Sequence, residues 1–232
     1  MSREIHELDR KIAAWLEQQR AKALKEAETE NRIMSSRSIT ISREYGCEGY
    51  PLAVALKELL EDASGDQWTI FDRSLIEKLE TEYDMTKEFL DHLGDKASAV
   101  DRLKAMLSRN WSEEQEGNFR KIADTIFSIA SAGHAIIVGR GGSVICEDLP
   151  HCFHFRLHAP EWHRVNSYML RTGCSKDEAS AAVLEAQESS SLFFREFLNA
   201  DLSDHQHYHA CFNTSKTKIT SIARAITHLV GF

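Results

Sequence analysis

Short runs of β-branched and aromatic residues alternate with helical patterns along this chain, and that alternation limits the fold more than any other feature of the sequence. Strands that alternate with helices form βαβ units, whose right-handed crossovers build a parallel sheet. We therefore predict an α/β fold of three layers, in which a five-stranded parallel sheet carries helices on both faces. The predicted strands are residues 38–42, 68–71, 135–138, 153–157 and 208–213.

The helical patterns lie between and after these strands. Pro51 and Pro160 are predicted at the first position of their helices, where the missing proline N–H costs nothing. Ser175 and Glu178 form the spacing of a capping box, which predicts a helix that begins there. The other predicted helices cover residues 52–60, the stretch from 119 to 129, and residues 162–170 and 219–229.

Composition excludes several classes of protein. The 232 residues are 42% hydrophobic and 28% charged, which excludes a disordered or collagen-like chain. The formal net charge of −8 argues against general attraction to nucleic acid, and no apolar run approaches the roughly 18 residues of a membrane span. We expect neither nucleic acid nor membrane as a partner. The five scattered cysteines, with no CxxC pair, favour free thiols and a cytoplasmic location.

Two groups of closely spaced histidines are candidate metal ligands: His151, His154 and His158, and the alternating His205, His207 and His209. His205, His207 and His209 would share one face of an extended segment. No cysteine or carboxylate stands at a matching spacing, so we predict no structural metal.

The chain is predicted to have two parts. Residues 1–33 read as an N-terminal helical extension, and residues 34–232 as the α/β domain. The apolar stripe of the extension would serve equally for docking on its own domain or for a homodimer. It consists of Ile5, Leu8, Ile12, Trp15 and Leu16.

Two connections, residues 72–133 and 158–207, are too long for simple crossovers. Ligands of open α/β sheets bind beyond the carboxyl ends of the strands, where long excursions form binding inserts and lids.

The segment after the first strand has the layout of a phosphate cradle. Strand, glycine-containing loop and helix follow one another over residues 38–60. Glycines let main-chain N–H groups turn towards an anion, and the helix N-terminus adds partial positive charge. An ordinary βα turn would look the same by spacing alone. Cys47 is either a thiol activated by the helix N-terminus or a packing residue. The predicted phosphate-binding residues are Ser42, Arg43, Gly46, Cys47, Gly49 and Tyr50.

Charged residues and glycines follow two further strands. Asp72 and Arg73 end the second strand, and Arg140 with Gly141 follows the third. Carboxyl ends of parallel strands meet at one edge of a sheet, so these groups are expected in the same crevice as the loop. An ion pair between Asp72 and an arginine at the sheet edge is the alternative.

The chain resembles the cytidylate kinase-like family of P-loop nucleoside monophosphate kinases. The resemblance rests on residues 39–46, 71–73, 138–142, 156–160 with Arg164, and the late Asp204, Tyr208, Asn213 and Thr214. It implies a P-loop NTPase-like fold with a helical acceptor-binding insert over residues 72–133 and a lid region over residues 158–207.

The resemblance also implies a reaction, transfer of the γ-phosphoryl group of ATP to a nucleoside monophosphate such as CMP, with Mg²⁺ entering alongside ATP. That chemistry needs positioning and positive charge, which guanidinium groups supply by gripping phosphate bidentately. The implied acceptor-binding residues are Asp72, Arg73, Arg140 and Gly141, and the implied catalytic cations are Arg43, Arg164, Arg171 and Arg195.

Three positions of the loop depart from the P-loop pattern. Tyr50 stands where a P-loop has lysine, Pro51 where it has a hydroxyl residue, and Glu48 inside the loop. Two like charges 4 Å apart repel by about 1 kcal/mol in water and about 4 at an effective dielectric constant of 20. Two alternatives therefore stay open: a nucleotide-binding relative with little turnover that acts as a regulatory or interaction protein, and a structural protein that acts through its N-terminal helix.

Overall fold

The computed structural model describes residues 36–72 and 113–232. The chain divides into two units, Met1–Ser36 and Arg37–Phe232, and every described helix and strand lies in the second. The predicted N-terminal helix, Arg73 and most of the predicted acceptor-binding insert fall outside the described residues.

A parallel sheet forms the centre of the described unit. Its strands lie in the order β2-β3-β1-β4-β5, and each pairs with its neighbour in parallel. The predicted fold class, an α/β fold with a five-stranded parallel sheet, is therefore confirmed. The strands are β1 Ser38–Arg43, β2 Thr69–Phe71, β3 Ala135–Val138, β4 Cys152–His158 and β5 Ala210–Asn213.

The last strand begins two residues later than predicted. The segment His205–His207 forms a short 3₁₀ turn, in which the carboxylate of Asp204 accepts a hydrogen bond from the N–H of Gln206. The side chain of Asp204 offers the backbone a turn in place of a strand ladder. The expectation that His205, His207 and His209 share one face of an extended segment is therefore wrong.

Six helices are described: α1 Gly49–Ser64, α2 Glu113–Ala132, α3 Gly142–Ile145, α4 Glu161–Thr172, α5 Lys176–Leu198 and α6 Ile219–Leu229. Helix α1 begins two residues before Pro51, so this proline is the third helical residue and not the first as predicted. The first four N–H groups of a helix have no intrahelical acceptor, so proline is tolerated there. Pro160 lies at the N-cap of α4, one residue earlier than predicted, and the capping box of α5 is present.

Apolar side chains cover both faces of the sheet. On one face, Ile39 and Ile41 pack with Leu56 of α1 and Ile226 of α6. On the other, Ile137 packs with residues of α2 and α3. Fully burying one such side chain contributes roughly 1.5–3 kcal/mol, so the two clusters hold helices on both faces, as predicted.

Helices α4 and α5 form a hairpin with a small core of its own. Val165 of α4 packs with Ala179 and Val183 of α5, and the ring of Tyr45 joins this cluster from the loop after β1. Among the described helices, none combines the length and apolarity needed to cross a membrane.

Candidate functional site

The register of the sheet brings the strand ends to one edge. Ile41 of β1 pairs with Val138 of β3 and with Phe155 of β4, and Arg43 pairs with Leu157. The segments that follow these strands therefore start side by side. The first of them, residues 44–49, is called the glycine loop below and leads into α1.

Gly46 lies where the glycine loop meets helix α4. Its φ of +94° is outside the range that other residues adopt readily. A Cβ atom at this position would lie 2.7 Å from both the Cβ and the carbonyl oxygen of Arg164. Only glycine allows the loop to pass this close to the helix.

Several N–H groups of the glycine loop already donate within the protein. Those of Glu44, Cys47 and Gly49 donate to main-chain oxygens at 2.9–3.0 Å. The N–H of Tyr45 donates to the side-chain oxygen Oε1 of Gln187 on α5, at 3.1 Å. The loop thus offers fewer main-chain donors to an anion than its sequence suggests.

Arg43 extends from the end of β1 across the glycine loop. Its stem would lie 3.2 Å from a Cβ at Gly49, and its Nη1 2.7 Å from a Cβ at Gly139. The two glycines therefore make room for this side chain. Burial lowers the pKa of Arg43, and the charges of Arg140 and Arg171 act in the same direction. A guanidinium still stays protonated at neutral pH, so three cations converge here.

Two adjacent cavities meet at Arg43 and Tyr45. The larger, of about 350 Å³, lies between the ends of β1 and β3 and helix α5. The smaller, of about 260 Å³, lies along the glycine loop. The wall of the larger cavity includes Ser42, Arg43, Arg140, Ser189, Ser190 and Phe194. The wall of the smaller includes Gly46, Cys47, Gly49, Tyr50, Asp72 and Arg171.

The two cavities suit different parts of a ligand. The larger falls within the roughly 300–1,000 Å³ typical of small-molecule sites, and no carboxylate is among its described lining residues. The smaller falls below that range, so it accommodates a phosphate group or chain better than a whole nucleoside. Asp72 lines the smaller cavity and Arg140 the larger, so the two residues implied for one acceptor site face different cavities.

The remaining residues predicted for the site lie around these cavities. Gly141 has a φ of +75°, and a Cβ there would overlap the side chain of Leu198 at the end of α5, so it serves close packing. Arg195 is exposed near the end of α5 and is not among the described residues that line either cavity. Its charge acts on Asp201, whose pKa is lowered mainly by the N–H of Ser203.

Arg164 of helix α4 binds the glycine loop through hydrogen bonds and an ion pair. It donates to the carbonyl oxygens of Tyr45 at 3.2 Å and of Ala159 at 3.1 Å, and its Nε lies 3.6 Å from the Glu44 carboxylate. Glu44 also accepts from the N–H of Ala159 at 3.0 Å and lies 3.4 Å from Arg156. Arg164 is thus one member of a network that fixes the loop.

Sequence reasoning missed the roles of Glu44, Tyr45 and Gln187. The first two stand within the motif at residues 39–46 that carries the family resemblance, so their position was the available signal. Gln187 lies 142 residues from its partner Tyr45, and no local pattern marks it.

Cys47 is a packing residue. It is buried, and this burial raises the pKa of its thiol to about 11. The hydroxyl of Thr214 lies 3.7 Å from its sulfur. The thiol is therefore protonated at neutral pH, which favours packing over an activated thiol.

Comparison with solved structures supports the fold. An uncharacterized protein from Eubacterium ventriosum aligns with a TM-score of 0.63 and 14% identity, over 84% of this chain and 98% of that chain. A shikimate kinase from Bacteroides thetaiotaomicron aligns with a TM-score of 0.49 and 13% identity, over 84% of this chain and 99% of that chain. A gluconokinase from Sinorhizobium meliloti 1021 aligns with a TM-score of 0.44 and 12% identity, over 84% and 92%. The last two similarities are too low to add to the assignment.

No curated protein matches the chain significantly. Residues 38–216, which span β1 to β5 and the described walls of both cavities, match the cytidylate kinase-like family. This match covers well over half of the sequence and agrees with the resemblance found in its motifs. The chain belongs to the cytidylate kinase-like family, on an α/β fold with a five-stranded parallel sheet.

Proposed function

We propose that the protein is a kinase-like phosphotransferase that moves the γ-phosphoryl group of ATP to a nucleoside monophosphate, CMP or a phosphorylated acceptor of similar size. One observation carries the proposal: Arg43 stands between two adjacent cavities and acts together with Arg140 and Arg171. During phosphoryl transfer, negative charge develops on the transferred group at the junction of the donor and acceptor sites, and a cation placed there stabilises it.

In this proposal the larger cavity holds the acceptor. Arg140 and Arg43 bind its phosphate bidentately, while the hydroxyls of Ser189 and Ser190 face its polar groups. The smaller cavity receives the phosphate chain of ATP along the glycine loop, near Arg171. Its size fits phosphates, so the nucleoside of ATP extends out of it.

The reaction needs no covalent intermediate on the protein. A phosphate oxygen of the acceptor bonds to the γ-phosphorus, the bond from that phosphorus to the β,γ-bridging oxygen breaks, and ADP leaves with the electron pair. The arginines stabilise the charge on the transferred group and hold the two oxygens in line.

Mg²⁺ enters the proposal as part of the substrate Mg-ATP. Pro51 lines the smaller cavity at the position where a P-loop offers a hydroxyl, so the loop supplies no side-chain ligand there. The described residues also hold no group of three or more His, Cys, Asp or Glu side chains arranged for a metal ion. These residues do not fit a resident Mg²⁺, and no step is assigned to one.

A second candidate is ligand binding with little or no transfer, in a regulatory or interaction role. Two observations favour it: the loop N–H groups of Tyr45, Cys47 and Gly49 are engaged within the protein, and Glu48 brings a carboxylate beside the loop. Both weaken a triphosphate site along the glycine loop, while Arg140, Ser189 and Ser190 of the larger cavity are unaffected by them.

Calorimetric titration with CMP, ATP and Mg-ATP, together with an assay of ADP formation, distinguishes the two candidates. The phosphotransferase is expected to bind both CMP and Mg-ATP and to release ADP only when CMP is present. Binding of CMP without ADP formation supports the second candidate, and no heat with any ligand overturns both.

Arg43→Ala tests the observation that carries the proposal. Loss of one charge-assisted contact of about 1.5–3 kcal/mol predicts CMP binding at least tenfold weaker. Arg224 on α6 is exposed and lies outside both cavities as described, so Arg224→Ala is the matched control for loss of one positive charge.

A further inference from the structure

Tyr45 of the glycine loop contacts both helices of the α4–α5 hairpin. Its carbonyl oxygen accepts from Nη1 of Arg164 on α4 at 3.2 Å, and its ring centroid lies 5.8 Å from that of Tyr168, also on α4. Its N–H donates to Oε1 of Gln187 on α5 at 3.1 Å. A hydrogen bond and a ring contact thus join Tyr45 to α4, and a hydrogen bond to its N–H joins it to α5.

Gln187 is next in sequence to residues that line the larger cavity, although it is not itself among the described lining residues of either cavity. Its neighbours Ala186, Ser189 and Ser190 line the larger cavity, and Tyr45 lines both. A main-chain N–H in a loop between strand and helix is a donor that phosphate oxygens use. The side-chain amide of Gln187 therefore supplies a neutral oxygen where a ligand would supply a charged one.

On the basis of the proposed function, we propose that this contact is a gate: Gln187 accepts from the N–H of Tyr45 in the ligand-free protein and yields this N–H to a phosphate oxygen when a polyphosphate binds along the glycine loop. Hydrogen bonds to ionised oxygens are roughly twice as strong as those between neutral groups, so the phosphate oxygen displaces the amide. The contacts of Arg164 and Tyr168 do not involve this N–H and keep α4 attached.

If Gln187 competes with the ligand, its removal should raise the affinity for polyphosphate, whereas if it only holds the loop in place, its removal should lower that affinity. A support would fix the loop for its ligand, and its loss would weaken polyphosphate binding. A gate competes with the ligand, so Gln187→Ala is expected to tighten binding by about two- to tenfold, the range that one neutral hydrogen bond spans. Gln187→Glu is expected to weaken binding, because it puts a negative charge beside the incoming phosphate.

The first measurement is calorimetric titration of the full chain with inorganic tripolyphosphate. The wild type, Gln187→Ala and Gln187→Glu are compared with Leu184→Ala, a control that shortens an exposed side chain on the same helix. The gate predicts tighter binding for Gln187→Ala, weaker binding for Gln187→Glu and wild-type binding for Leu184→Ala.

The second measurement is hydrogen exchange of the Tyr45 amide by NMR in the ligand-free proteins. Loss of its acceptor is expected to accelerate this exchange at least tenfold in Gln187→Ala and not in Leu184→Ala. Tripolyphosphate is expected to restore the protection in Gln187→Ala.

The outcomes separate this inference from the proposed function. If the wild type binds tripolyphosphate and Gln187→Ala binds it equally or more weakly, the gate is overturned while phosphate binding stands. Unchanged exchange of the Tyr45 amide also overturns the gate. If neither protein binds tripolyphosphate, both the gate and the assignment of the loop to the donor fail, and CMP titration still tests the larger cavity.

Discussion

Gly46 shows how much one residue controls in this site. Its positive φ and its contact with the backbone of Arg164 both exclude a side chain. Gly46→Ala is expected to destabilise the protein by about 2–4 kcal/mol, because strained φ and overpacking each cost about 1–3 kcal/mol. Gly117 on α2 is exposed with open space around it, so Gly117→Ala is expected to stabilise by about 0.5–1 kcal/mol. Urea unfolding of both variants tests this pair, and a similar effect of the two substitutions would contradict the close approach.

Three of the residues predicted at strand ends line the cavities. Arg43 is the last residue of β1, Asp72 follows β2, and Arg140 lies two residues after β3. Arg195 lies near the end of the long helix α5 and is not among the described residues of either cavity wall. On a helix, a small error in the predicted start changes the face on which a side chain lies. Arg171, on α4 of the same hairpin, does line the smaller cavity, so the hairpin contributes one of these two predicted cations to a cavity wall and not the other.

The double substitution Glu48→Gly with Tyr50→Lys tests the glycine loop as the ATP site. It removes a carboxylate beside the loop and adds a cation in place of an exposed ring. Repulsion of about 1–4 kcal/mol between close like charges is relieved, so ATP affinity is expected to rise at least fivefold. Titration with ATP measures this. Unchanged ATP affinity would mean that ATP binds elsewhere, and CMP affinity serves as the internal control.

At the level of elements, β1, α4 and β4 are joined by one charge network, in which Arg156 is buried and Glu44 and Arg164 are partly buried. Glu44 after β1 accepts from Ala159 and faces Arg156 of β4 and Arg164 of α4. Arg156 further donates to the carbonyl oxygen of Leu202 and lies over the ring of Tyr208, 5.7 Å from its centroid. The network thus connects the glycine loop with the base of the hairpin and with the segment before β5.

Removal of the Glu44 charge is expected to weaken the contacts between these elements and to lower the free energy of unfolding. Glu44→Gln leaves two guanidiniums without their carboxylate, and Arg156 is almost completely buried. The expected loss is about 2–4 kcal/mol in the free energy of unfolding, because an uncompensated buried charge is costly. Glu185→Gln, an exposed position on α5, is the matched control. Urea unfolding at neutral pH measures both, and equal effects of the two substitutions would show that the network adds no stability.

Some strands and some helices could be predicted to the residue from the sequence, and helix α6 is found at 219–229 as predicted. The third strand is found at residues 135–138 as predicted, because a continuous apolar run between polar turns leaves little freedom of register. The start of α1 was misplaced, because Pro51 fits any of the first helical positions. The hydrogen bond between Tyr45 and Gln187 depends on how the hairpin packs against the glycine loop, and no local sequence pattern encodes this packing.

For the whole molecule, the buried thiol of Cys47 links folding to pH. Burial raises the pKa of this thiol from its ordinary value near 9 to about 11. Between these values the folded chain keeps the proton that the unfolded chain releases, so the free energy of unfolding falls as pH rises. The contribution is fully present below pH 9 and is lost as pH rises through about 11.

The difference between the pKa of the Cys47 thiol in the folded and in the unfolded chain sets how much unfolding free energy is lost as pH rises. At pH 10 the unfolded thiol is about one pH unit beyond its pKa, so the wild type should lose about 1.4 kcal/mol between pH 8 and pH 10 that Cys47→Ala does not lose. The alanine variant carries every other titrating group and removes this one, so the difference between the two slopes isolates Cys47. Urea unfolding of both proteins at the two pH values gives the slopes. Equal slopes would contradict the burial of the thiol, because they would show that water from the adjoining smaller cavity solvates it in the folded chain.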